Sequence, residues 1–74
     1  RKVAELARCI DEQISIHDFR MIIGPTHTNL IFDAVVPFRF RLSDEQVREK
    51  LRRAVKTLDE RYCAVVNVER SYTA

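Results

Sequence analysis

One imidazole, His17, and two carboxylates, Asp33 and Glu69, stand inside segments that are otherwise rich in apolar residues: "SIHDFRMII", "NLIFDAVVPF" and "YCAVVNVERSY". A nitrogen donor with two hard oxygen donors suits a divalent transition ion such as zinc, manganese or iron. The absence of thiolates in the set argues against a structural zinc site. Three protein ligands would leave a position for water or for a residue of a second copy.

Each residue also has a plainer reading. A carboxylate in an apolar strand must be paired or face water, so Asp33 has an ion pair with Arg20 or Arg39, or simple exposure, as its alternatives. His17 and Glu69 read equally as solvated residues near strand ends. Asn67 reads as the cap of an edge hydrogen bond, and His27 as a turn residue before it reads as a ligand.

The elements that must position these side chains follow from periodicity. Val3, Leu6, Ala7, Ile10 and Ile14 recur at spacings of three and four with charged residues between them, which predicts an amphipathic helix ending near Gln13 or Ile14. "SIHDFRMII" is short and stops at Gly24-Pro25, so a strand and a turn are expected. "NLIFDAVVPF" is the second strand, and the five-residue "GPTHT" makes the pair an antiparallel hairpin. Folding that hairpin brings Asp33 to within about two residues of the position opposite His17, which is diagonal reach across a strand pair.

Ser43 ahead of "DEQ" is a capping box, with the serine accepting from the third helical N–H and Gln46 reaching back. The helix it starts has Val47, Leu51, Ala54, Val55 and Leu58 as its buried stripe. In "YCAVVNVERSY", Tyr62, Ala64, Val66 and Val68 alternate against Cys63, Val65, Asn67 and Glu69, the period of a strand. A right-handed crossover then sets the last strand parallel to the second, with both helices on one sheet face. The expected fold is α+β, order αββαβ: a ferredoxin-like split βαβ arrangement lacking its first strand. Two helices cannot cover both faces of three strands, and an uncovered apolar face predicts association, most simply as a homodimer.

A chain of 74 residues allows one domain spanning 1–74, with a core small enough to gain from a partner or a metal. Its opening "RKVAELA" reads as helix without a start methionine, so a preceding segment is expected. The formal charge of +2 gives no electrostatic grip on nucleic acid. Arg48, Arg52 and Lys56, four residues apart on the second helix, have no aromatics interleaved, as a single-strand platform would require. Ion pairs of Glu45 with Arg48 and of Glu49 with Arg52 or Arg53 are expected instead. Cys9 and Cys63 lack metal or redox spacing and read as reduced thiols of a cytosolic domain. No apolar run reaches the ~18 residues of a membrane span. With no glycine-rich phosphate loop and no nucleophile beside a histidine, an enzyme is not expected.

The segments "SIHDFRMIIGPTHTNLIFDAVVPF", "LSDEQVREKLRRAV" and "LDERYCAVVNVERSY", taken in order, closely resemble the cytoplasmic C-terminal domain of the cation diffusion facilitator transporters. "HDFR" with "GPTHTNLIFD" is the most specific part. The resemblance implies a regulatory module on the cytoplasmic side of the cell membrane, covalently attached to a transmembrane portion that exports divalent cations. It implies a V-shaped homodimer that binds metal near its interface and tightens when metal is abundant. Zinc is the foremost ion, with manganese, iron, cobalt or nickel as alternatives. His17 matches the family's histidine at the start of the first strand, and Asp33 falls where similar members carry a histidine or an acid. Where zinc-transporting relatives place a histidine and an acid two residues apart in the last strand, this chain has Asn67 and Glu69. The implied ligand set is therefore His17, Asp33 and Glu69.

Overall fold

The computed structural model describes residues 2–72. Helix α1 (Lys2–Ile10) leads into the antiparallel strands β1 (Ser15–Ile23) and β2 (Thr28–Pro37). Helix α2 (Asp44–Lys56) then crosses over to β3 (Tyr62–Ser71), which pairs with β2 in parallel. The sheet order is β1-β2-β3, so this is the expected α+β fold, with an arrangement compatible with the ferredoxin-like one.

Burial along β2 alternates residue by residue: Leu30, Phe32, Ala34 and Val36 are buried, and the residues between them are half-buried. The buried set meets Val3 and Ala7 of α1 and Val47, Leu51 and Val55 of α2, with Ile14, Phe40, Leu42 and Val66 closing the core. Both helices thus lie on one face, and the other face is open.

Helix α1 is shorter than its apolar spacing predicts. Asp11 accepts from the Gln13 backbone N–H (2.9 Å), and the chain turns there. Ile14 still enters the core, 2 % exposed, but from the turn and not from the helix. A nine-residue helix is about 14 Å long and a nine-residue strand about 30 Å. Helix α1 therefore cannot cover all of β1, and Met21 and Ile23 remain exposed on the helix side. Leu58, expected in the buried stripe of α2, lies beyond the end of that helix and is exposed.

The capping box is present: Ser43 Oγ accepts from Gln46 N (3.1 Å), and Gln46 Oε1 accepts from Ser43 N (2.9 Å). Ser43→Ala is expected to lower stability by about 1 kcal/mol, read as a drop in the urea midpoint at unchanged slope. The helix surface carries the expected pairs of Glu45 with Arg48 and of Glu49 with Arg52 and Arg53.

The basic row on α2 is more than a solvated face. Arg48 Nε donates to the Val66 carbonyl (3.1 Å), and Lys56 Nζ donates to the Tyr62 carbonyl (2.9 Å). Two acceptors on the unpaired side of β3 are thereby occupied, which blunts that edge against strand addition.

Candidate functional site

The hairpin register sets His17 directly opposite Asp33, one step closer than the diagonal placement expected from the turn length. Asp33 in turn pairs with Asn67 across the parallel β2–β3 ladder. His17, Asp33 and Asn67 therefore form one row across all three strands, on the face the helices leave open. In the next row Ser15, Val35 and Glu69 lie side by side.

A β-bulge makes this possible. Between the pairs His17–Asp33 and Arg20–Ile31, β1 spends three residues where β2 spends two. Asp18 absorbs the extra residue with φ of 53°, a left-handed conformation that aspartate tolerates better than most side chains. Strict alternation would send His17 and Arg20 to opposite faces. The bulge returns Arg20 to the open face and turns Phe19 toward the helices, where it stacks on Phe32 at 6.0 Å. A cleft of about 490 Å³ beside the bulge is lined by Asp18, Phe19, Arg20, Ile31, Phe32 and Asp33.

Asn67 links this row to the next. Its Nδ2 donates to Asp33 Oδ1 (3.4 Å) and to Glu69 Oε2 (3.1 Å), so one neutral amide holds two carboxylates on adjoining strands. The partner of Asp33 is thus an amide; neither Arg20 nor Arg39 forms an ion pair with it among the described residues. No hydrogen bond joins His17 to this cluster; its Nε2 shares one of 3.1 Å with Ser15 Oγ. All four side chains lie in or beside the open surface, and none of the buried side chains among the described residues is polar or charged.

The donor chemistry of Asp33, Glu69 and His17 suits a divalent cation, and the two carboxylates already converge on a single point of positive partial charge. Within one copy the convergence stops at two: among the described residues, no three His, Cys, Asp or Glu side chains are gathered closely enough to hold a metal ion. His27 lies apart in the hairpin turn, sharing a hydrogen bond of 2.9 Å with Thr26 Oγ1. In that turn the Gly24 N–H donates to the His27 carbonyl (2.8 Å), and a Cβ on Gly24 would sit 2.8 Å from the same oxygen, so no larger residue fits there undisturbed. Cys9 and Cys63 are free thiols.

Around the polar row the open face is mixed, with Ser15, Arg20 and Asn29 among apolar residues. Ile22 and Val65 are about half exposed, and Ile31, Val35 and Cys63 lie between them half-buried. At the far end of the molecule Arg61 hydrogen-bonds Asp59 and holds its carboxyl down at about 2, well below the usual carboxylate range, fixing the turn before β3 rather than serving the row.

Sequence reasoning passed over Arg70. Its guanidinium donates to the carbonyls of Pro37 (3.4 Å), Phe38 (3.3 Å), Phe40 (3.2 Å) and Leu42, and to Asp44 Oδ1 (3.0 Å). This one side chain ties the β2–α2 connection to the end of β3, next to Glu69. The signal was present in the period-two pattern, because Arg70 follows Val66 and Val68 on the apolar face and a cation there must find acceptors. No helix among the described residues is long and apolar enough to cross a membrane. Comparison of the chain with family models, with curated proteins and with solved structures returned no match.

Proposed function

We propose that this chain is a dimerising, metal-responsive regulatory module of a divalent-cation efflux transporter of the cation diffusion facilitator type, without an active site of its own. The observation that carries the reading is the polar row on the open sheet face. His17, Asp33 and Asn67 are in register across three strands, with Glu69 two residues along and the apolar residues Ile31, Val35 and Val65 beside them on the same face.

The size of the face bears on how the two halves of this reading depend on each other. Three strands about 4.8 Å apart, with about 3.3 Å per residue, present roughly 14 by 30 Å. Two such faces together cover roughly 840 Å² before side-chain relief is counted, below the roughly 1,200 Å² at which specific dimers begin. Apolar contact alone thus gives a weak dimer. A cation held between carboxylates and an imidazole of two copies adds what the area lacks, and it binds the closed arrangement more tightly than the open one, shifting the population toward it. Protons compete with metal for the imidazole, so binding weakens on acidification.

The test is calorimetric titration of the metal-free chain with zinc and then manganese, with mass followed by light scattering. Saturable binding is expected, weakened at least tenfold by His17→Ala and by Asp33→Ala, together with a rise in dimer on adding metal. A dimer indifferent to metal would leave a purely structural assembly module or a small-molecule regulatory domain. A monomer that binds no metal would remove the reading altogether.

A further inference from the structure

Independently of that reading, we infer that β1 offers its outer edge to a second copy of the chain, which pairs with it antiparallel from Arg20 to Gly24. The phase of the hairpin ladder is the starting point. Gly24 N–H donates to the His27 carbonyl (2.8 Å), and Thr28 N–H donates away from β1, to the Arg61 carbonyl (3.0 Å). Antiparallel pairs alternate between bonded and unbonded, so Ile22 exchanges bonds with Asn29 while the N–H and C=O groups of Met21 and Ile23 point outward. β1 is an outer strand of the sheet, so those groups have no strand to meet. The other outer strand, β3, has its Val66 and Tyr62 carbonyls occupied by Arg48 and Lys56.

Met21, Ile22 and Ile23 are 45 %, 55 % and 78 % exposed, apolar on both faces of one edge, which is the pattern that recruits another strand. The segment is complementary to itself. With a twofold axis through Ile22, Met21 exchanges hydrogen bonds with the second copy's Ile23, and Ile23 with the second copy's Met21. The two Ile22 side chains meet on the open face, and Met21 meets Ile23 on the helix side. Arg20 then lies opposite Gly24, which keeps the two Arg20 side chains about 13 Å apart along the strands. An axis through Met21 would halve that distance and draw in the bulge at Asp18, whose φ of 53° breaks the extended edge. Helix α1 begins beside Phe19 and Met21 and runs back toward Ser15, so it leaves Ile23 and the turn clear. The row of His17, Asp33 and Asn67 lies beyond the bulge and stays uncovered. So short a contact falls below the ~1,200 Å² of specific dimers, and the association is weak and concentration-dependent.

The experiment is sedimentation equilibrium of the metal-free chain in chelator, from about 10 μM to about 1 mM, with amide exchange followed by NMR at both ends of the range. The mass of the wild type is expected to rise from one chain toward two, and the Met21 and Ile23 amides to exchange about twofold more slowly at the high end. Ile23→Pro removes only an outward N–H, so it should keep its urea midpoint and self-associate about tenfold more weakly. Ile22→Lys sets two ammonium groups face to face and should weaken association as much. Val65→Lys, on β3 and away from the edge, should associate like wild type. A wild type that stays one chain up to the highest concentration overturns the inference. So does association that Ile23→Pro and Ile22→Lys leave intact and Val65→Lys abolishes, since the contact would then lie on the open face. No metal enters these measurements, so their failure and the failure of the zinc and manganese titrations are separate results.

Discussion

Replacing Arg70 with methionine is expected to lower the unfolding free energy by about 3 kcal/mol, close to half of what a chain of this length can be expected to possess. Methionine keeps the apolar stem and removes the fork. The carbonyls of Phe38, Phe40 and Leu42 lose this donor together, that of Pro37 keeps only the Phe40 N–H, and Asp44 loses its partner. The guanidinium is mostly shielded, with 22 % of the side chain exposed, so water replaces it poorly. Arg70→Lys is expected to recover little, because one ammonium cannot address acceptors spread along a turn as a planar fork does. Urea unfolding followed by circular dichroism measures both variants. A loss below about 1 kcal/mol for methionine would mean that the connection is held by Phe40 and Leu42 packing and not by the guanidinium.

The second large effect is expected at Phe32. It is 1 % exposed, occupies the centre of the central strand and stacks on Phe19. Phe32→Ala removes a ring from a core with no second layer to relax into it, and the expected cost is about 4 kcal/mol. A domain of this size holds roughly 4–11 kcal/mol. The variant should therefore lose between about a third and all of its stability, shown by a large drop in the urea midpoint. Phe32→Leu, which keeps most of the apolar volume, should remain folded with a lower urea midpoint.

Both effects bear on the open face without touching it. Phe32 lies between Ile31 and Asp33 on β2, and Arg70 follows Glu69 on β3. The polar row is presented by strands whose other sides carry the core, so a substitution in the row also perturbs the fold.

Much of this arrangement could be read in advance because each element has a strong local signal. The capping box at Ser43 is a chemical pattern over four residues. Alternation in "YCAVVNVERSY" separates Val66 from Asn67 without further information, and the crossover rule makes β2 and β3 parallel. Less legible was what depends on one extra residue. The bulge at Asp18 leaves little trace in composition, yet it decides that Arg20 shares a face with His17. The end of α1 escapes the pattern for a related reason: Ile14 keeps helical spacing and is buried, but a turn delivers it, and periodicity alone cannot distinguish the two routes to the core.

By itself the sequence determined the element order, the apolar faces of the helices and of β2 and β3, and the residues with chemistry to offer: His17, Asp33, Asn67 and Glu69. These are matters of local period and residue type, which a one-dimensional pattern carries in full. Only the tertiary structure decided that His17 stands directly opposite Asp33, that Asn67 holds both carboxylates while His17 shares a hydrogen bond with Ser15, and that Arg70, Arg48 and Lys56 spend their charges on backbone carbonyls. The physical reason is reach. A hydrogen bond forms or fails within a few tenths of an ångström, and that distance is set by strand register and by the bulge, where one residue more or less moves a side chain by a full step along the strand.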